Sequence, residues 1–157
     1  MPLSSTALLR SPIPLRARTE VVGPTLTVGA VVVDDERLLL VRRAHAPAQG
    51  LWAVPGGRVM AGETLAEAVT RELREETGVE GVCGPLLGWT ELVPEADDQE
   101  HLVILDFEVA LFDAAEPVAA SDALEARWVP VGDVAEMRLA PGLAEFLHDH
   151  GIIPTFA

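Results

Sequence analysis

Residues 25–33 read TLTVGAVVV, β-branched and almost unbroken in apolar side chains, which predicts a buried strand. The polar triplet Asp34-Asp35-Glu36 makes a turn, and RLLLVR over residues 37–42 is its expected hairpin partner. Residues 44–50, broken by Pro47 and Gly50, read as loop. Residues 51–54 form a short strand that ends at Pro55-Gly56-Gly57. A helical repeat follows. Thr64 and Glu67 have the spacing of a capping box, and Gly78 can take the left-handed conformation that stops the helix. Two long strands are expected over 82–93 and 101–112, separated by an acidic loop over 94–100. Another short strand is expected over 125–131. Helices are expected over 132–137 and 141–150, with Pro141 in a first turn and Gly151 as a stop. Strands, one central helix, strands again and a terminal helix add up to an α/β fold with a mixed sheet between helices.

Composition narrows the function. All basic residues are arginine, and the formal charge is −14, so a nucleic-acid polymer, bound mainly through its phosphates, is a poor partner. A small phosphorylated substrate is not excluded, because bound cations invert the local field. The single Cys83 permits no intrachain disulfide and fits a reducing, cytoplasmic setting; it reads as a buried, inert thiol. No apolar run approaches the ~18 residues of a membrane span. Residues 1–23 hold three arginines and no acid before Glu20. They read as a flexible arm or an added edge strand, and residues 24–157 as one domain.

The chemistry concentrates between residues 57 and 79, GRVMAGETLAEAVTRELREETGV. At about 100° per residue, Glu72, Glu75 and Glu76 fall on one helical stripe that overlaps the apolar arc of Leu65, Ala68, Val69 and Leu73. On an open surface each like-charge pair costs only about 0.2–0.5 kcal/mol. Half buried, at an effective dielectric near 20 and about 6 Å, the cost rises to roughly 2–3 kcal/mol. Such crowding calls for positive charge. Three hard oxygen donors without histidine or cysteine suit Mg²⁺, with Mn²⁺ as a substitute, better than Zn²⁺.

This segment resembles the Nudix box, G-x5-E-x7-R-E-U-x-E-E-x-G-U with U a bulky aliphatic, and matches it at every fixed position. The resemblance implies a Nudix-type α/β/α sandwich and hydrolysis of a phosphoanhydride in a nucleoside diphosphate linked to another group. It implies that Glu72, Glu75 and Glu76 are metal ligands and that one of them, or an acid from a downstream loop, accepts a proton from water. Asp122 and Glu125 are the candidates for that further acid, in competition with the loop of Asp97, Asp98 and Glu100. A carbonyl at the position of Gly56 ligates metal in similar enzymes. Arg71, four residues before Glu75, is expected to orient that carboxylate, and Glu63 to tie the loop to the helix.

Arg42 and Arg43 are adjacent on a strand, so at most one faces the phosphates; the resemblance favours Arg43. Gly57 reads as a residue allowing tight backbone geometry at the substrate. Trp52 either stacks on a nucleobase or packs against the sheet, and Trp128 reads as core. Pro94, 15 residues beyond Val79, resembles the spacing in the ADP-ribose pyrophosphatase subgroup. The leading expectation is therefore hydrolysis of ADP-ribose or a similar nucleotide sugar. The alternatives are a nucleoside triphosphate pyrophosphohydrolase that removes oxidised nucleotides, and a non-catalytic nucleotide sensor. Apolar sheet edges permit a homodimer.

Overall fold

Two sheets share the centre of the molecule, and strands in each contribute side chains to both of its cores. The computed structural model describes residues 23–155; the arm expected over 1–23 lies outside them except for Gly23. The elements are β1 (Thr25–Val31), β2 (Val33–Asp34), β3 (Arg37–Arg43), β4 (Trp52–Ala53), β5 (Gly56–Arg58), α1 (Leu65–Thr77), β6 (Gly81–Leu92), β7 (Leu102–Leu111), β8 (Ala123–Pro130), a 3-10 turn (Val134–Glu136) and α2 (Leu143–Asp149).

A mixed sheet runs in the order β5-β1-β7-β6, with β1 and β7 parallel from Thr25↔Leu102 to Val31↔Glu108. An antiparallel sheet is built around β3, with β8 along one edge and β2 and β4 on the other. The alternation of strand side chains explains the layering. Val28, Ala30 and Val32 join Leu39 against Ala68, Val69 and Leu73 of α1. Val31 joins Leu38 and Leu40 against Leu143, Phe146 and Leu147 of α2. Neighbouring residues on one strand thus pack on opposite helices, which is an α/β/α sandwich. A strand buried on both faces reads as a continuous apolar run, and 28–32 does so for that reason, whereas Leu26 and Val33 toward its ends are exposed.

The expected long hairpin between 25–33 and 37–42 is corrected. Only Val33 and Asp34 pair with β3, around a turn in which Asp35 and Glu36 have φ of 49° and 56°. The remainder of β1 is claimed on one side by β7 and on the other by β5, while β3 pairs with β8 along its length. The glycines 56–57, expected to be a turn, are themselves strand. The helix expected over 132–137 contracts to the 3-10 turn. That over 141–150 starts only at Leu143, because Gly142 has φ of 81°.

Candidate active site

The site is assembled by α1 lying across β5. Both arms of the capping box form: Thr64 Oγ1 accepts from the Glu67 amide, and Glu67 accepts from the Thr64 amide at 2.6 Å. Gly78 ends the helix at φ 71°, donating to the Arg74 carbonyl. With Ala68, Val69 and Leu73 fully buried, the rotation of the helix is set, and Glu72 and Glu76 are carried to the wall of a cavity of about 600 Å³. Arg43, Gly56, Gly57, Glu100, Asp106 and Asp122 line the same cavity.

The β5 glycines make room for this arrangement. A Cβ on Gly57 would stand 2.5 Å from the Glu72 carboxylate, and one on Gly56 would stand 2.2 Å from the Val28 carbonyl oxygen. The Gly56 amide donates to Glu76 Oε2 at 3.2 Å. Glu76 is only 4% exposed. Burial pushes its carboxyl up to about 8; the Gly56 amide pulls it down, and the neighbouring Glu72 pushes it up further. Burial also raises Glu72, against the opposing pull of Arg71. Without a cation, protons must supply the missing positive charge.

Arg71 does more than pair with Glu75. Its Nε and one terminal nitrogen donate to the two oxygens of Glu63 at 2.9 and 2.6 Å, and that terminal nitrogen also reaches the Arg58 carbonyl at 3.0 Å. The other terminal nitrogen donates to Glu72 at 2.7 Å and to Glu75 at 3.2 Å. The expected contact of Arg71 with Glu75 is present, but the shorter bonds go to Glu63 and Glu72. Glu63, expected as a tie, also accepts from the Met60 amide at 2.7 Å and is held down to about 2 by the Arg71 hydrogen bonds. Glu75 is at the rim, with its side chain 45% exposed, and does not line the cavity.

The remaining candidates separate clearly. Arg43 lines the cavity, its Nε held by the Pro47 carbonyl at 2.7 Å, whereas Arg42 pairs with Glu125 at 2.9 Å. Asp122 lines the cavity 3.4 Å from His45 Nε2. Glu125 does not line it; hydrogen bonds from Arg127, together with Arg42, lower its carboxyl and occupy its oxygens. Trp52 is buried in the α2-side core, with the Arg127 guanidinium 5.0 Å from its ring centroid, so base stacking gives way to packing. Trp128 borders the other core, and its indole nitrogen donates to the Ala115 carbonyl. Cys83 is partly buried, and burial raises its thiol.

A match to the sequence model of the NUDIX domain covers residues 23–150. The chain belongs to the Nudix family. Among its relatives is the ADP-ribose pyrophosphatase of Methanocaldococcus jannaschii, 33% identical over 73% of this chain and 66% of that one. A putative 8-oxo-dGTP diphosphatase of Bacillus subtilis is 39% identical over 48% of this chain and 50% of its own. Among solved structures, the Nudix domain of Shewanella oneidensis NrtR complexed with ADP ribose superposes with a TM-score of 0.68. It is 27% identical, over 82% of this chain and 86% of that one.

The donors suit the divalent ions that Nudix hydrolases generally use. Among the described residues no three acidic, histidine or cysteine side chains close into a cage. Mg²⁺ does not need one: it keeps several waters and binds through one or two carboxylates plus substrate phosphates. Glu72 and Glu76, two oxygen donors raised by burial on a cavity wall, meet that requirement. Sequence reasoning missed Asp106, a buried carboxyl that lines the same cavity, because one acid inside a strand pattern looks like a solvent-facing alternation.

Proposed function

We propose that this Nudix protein is a Mg²⁺-dependent pyrophosphohydrolase, with Mn²⁺ able to substitute, that cleaves a nucleoside diphosphate linked to a sugar, such as ADP-ribose. The observation that carries the reading is the pair Glu72 and Glu76, raised by burial on the wall of a cavity that also holds Arg43. Anionic groups forced into an apolar wall are stabilised by cations, and a diphosphate brings its own oxygens to share them.

In this reading Glu72 and Glu76 would hold the metal from α1, with Glu75 reaching in from the rim and the Gly56 carbonyl alongside. When bound, the ion neutralises phosphate oxygens and lowers the pKa of a water. Arg43 binds a phosphate oxygen. Arg71 positions Glu72 while anchored to Glu63. Asp122 takes the proton of the attacking water. The water oxygen bonds to one phosphorus as the bridging oxygen leaves with the other, so ADP-ribose and water give AMP and ribose 5-phosphate.

The relative from M. jannaschii and the ADP-ribose complex of the NrtR domain support the sugar substrate. The B. subtilis relative supports a triphosphate instead, and a nucleotide sensor is the non-catalytic alternative. Hydrolysis with product identification separates all three. ADP-ribose giving ribose 5-phosphate supports the proposal. Release of pyrophosphate from a triphosphate, with ADP-ribose untouched, would overturn the sugar assignment, and binding without turnover would favour the sensor.

A further inference from the structure

The cavity floor is made by three neighbouring strands. Thr27 of β1, Leu102 and Ile104 of β7, and Thr90 and Leu92 of β6 all line it. Their registers are Thr27↔Ile104, Thr90↔Ile104 and Leu92↔Leu102, so these side chains share one face of the sheet. Asp106 is the next residue of β7 on that face. Its register partners are glycines on both sides, Gly29 of β1 and Gly88 of β6.

Neither glycine is idle. A Cβ on Gly29 would stand 1.9 Å from Asp106 Oδ1, and one on Gly88 would stand 2.7 Å from His150 Nε2. The strand beside Asp106 is thus stripped of its side chain at the point where the carboxyl lies. Asp106 is 3% exposed, and its Oδ1 is buried with no hydrogen-bond partner among the described residues. A buried acceptor left unsatisfied is destabilising, and a buried charge more so. Burial accordingly raises this carboxyl to about 6, with His150 pulling the other way. The room left by Gly29 is filled by Oδ1 itself, which is sealed there; Asp106 nevertheless lines the cavity, next on the face that carries Thr27, Thr90, Leu92, Leu102 and Ile104.

We infer that Asp106 is a specificity residue for the nucleobase, accepting an N–H from an amino group on a base laid along the Leu102–Ile104 floor. The inference rests on the reading that this cavity takes a nucleotide. A floor of Leu92, Leu102 and Ile104 flanked by Thr27 and Thr90, with Asp106 next on the same face, suits a planar heterocycle, and the carboxylates of Glu72 and Glu76 line the same cavity for the phosphates. The base class selected is one that carries an exocyclic amine.

The test is calorimetric binding of AMP and of purine riboside 5′-monophosphate, which lacks only the amino group, to the full chain with Mg²⁺. The wild type is expected to bind AMP about tenfold more tightly or better, as one satisfied buried hydrogen bond predicts. Asp106→Leu is expected to erase that preference and, by removing an unpartnered carboxyl, to melt at a higher temperature than the wild type. A structural role predicts the reverse, a lower melting temperature with the preference intact. Equal affinities in the wild type, or binding of neither nucleotide, would overturn the inference without any variant. Hydrolysis of ADP-ribose and of nucleoside triphosphates by the wild type, measured alongside, keeps the two readings apart. Turnover without a base preference removes only the role of Asp106, whereas no turnover of any nucleotide removes the enzymatic reading itself.

Discussion

Arg71 grips Glu63 with two hydrogen bonds of 2.6 and 2.9 Å across eight residues, leaving one terminal nitrogen to hold Glu72 at 2.7 Å. The fork therefore links the loop before α1 to a carboxylate on the cavity wall. Lysine cannot reproduce it, because its ammonium lacks the planar pair of donors. Arg71→Lys is expected to raise the Mg²⁺ concentration needed for half-maximal activity by about 10–100-fold, the usual cost of losing a group that orients a ligand. Steady-state rates across a Mg²⁺ titration check this.

Glu63 supplies a pH dependence of opposite sign to that of the cavity wall. Its folded carboxyl is depressed to about 2 from the ordinary value of 4.5. Its contribution to stability is therefore present above about 4.5 and is lost as pH falls toward 2. Glu63→Gln should flatten the acid limb of the stability curve, which melting from pH 5 to pH 2 would read.

Glu76 behaves conversely, since its folded carboxyl is raised to about 8. In the metal-free protein the folded state holds this proton more tightly than the unfolded chain, so stability is greatest below 4.5 and declines as pH rises through 8. A cation reverses the trend, because it binds the ionised form and displaces the proton. Mg²⁺ binding near pH 7 should release close to one proton, seen as a binding heat that varies with the ionisation enthalpy of the buffer. Heats independent of buffer would refute the linkage.

Gly57 faces the Glu72 carboxylate, and a methyl group there would stand 2.5 Å from it. The collision is with the end of a side chain, so Gly57→Ala should fold while losing at least tenfold in metal affinity as Glu72 swings aside. Gly56→Ala would strike the Val28 backbone at 2.2 Å and should instead lower the melting temperature. The pair distinguishes a site defect from a fold defect.

Asp122 and Glu125 can be separated by their neighbours. Asp122→Asn should lower kcat by roughly 100-fold, the scale of a lost general base, with little change in KM. Glu125 is occupied by Arg42 and Arg127 away from the cavity, so Glu125→Gln should leave kcat unchanged.

Local signals were legible in the sequence and non-local ones were not. The capping box, the stop at Gly78 and the acidic stripe depend on residues within a few positions of one another; the first two appear as expected, and of the stripe Glu72 and Glu76 line the cavity while Glu75 stays at the rim. The two long strands β6 and β7 were legible from their apolar runs. The partner of β1 was not, because a buried strand carries no mark distinguishing a hairpin neighbour from a parallel strand more than 70 residues away. Gly56 and Gly57 looked like turn residues, since nothing local reveals that Val28 and Glu72 come to lie against them. Trp52 was open to two readings until β4 placed it against α2. Arg71 pointed to Glu75 by helical spacing, yet Glu63, beyond the helix start, takes its strongest bonds.

Hydrolysis is proposed to depend on a cation held jointly by Glu72 and Glu76. The most direct measurement is product-resolved ADP-ribose hydrolysis with Mg²⁺ by the wild type and by Glu76→Gln, with melting curves for both. The wild type should give AMP and ribose 5-phosphate, and the variant should remain folded and turn over at least a hundredfold more slowly. Equal Mg²⁺-dependent turnover by the two proteins would contradict that dependence.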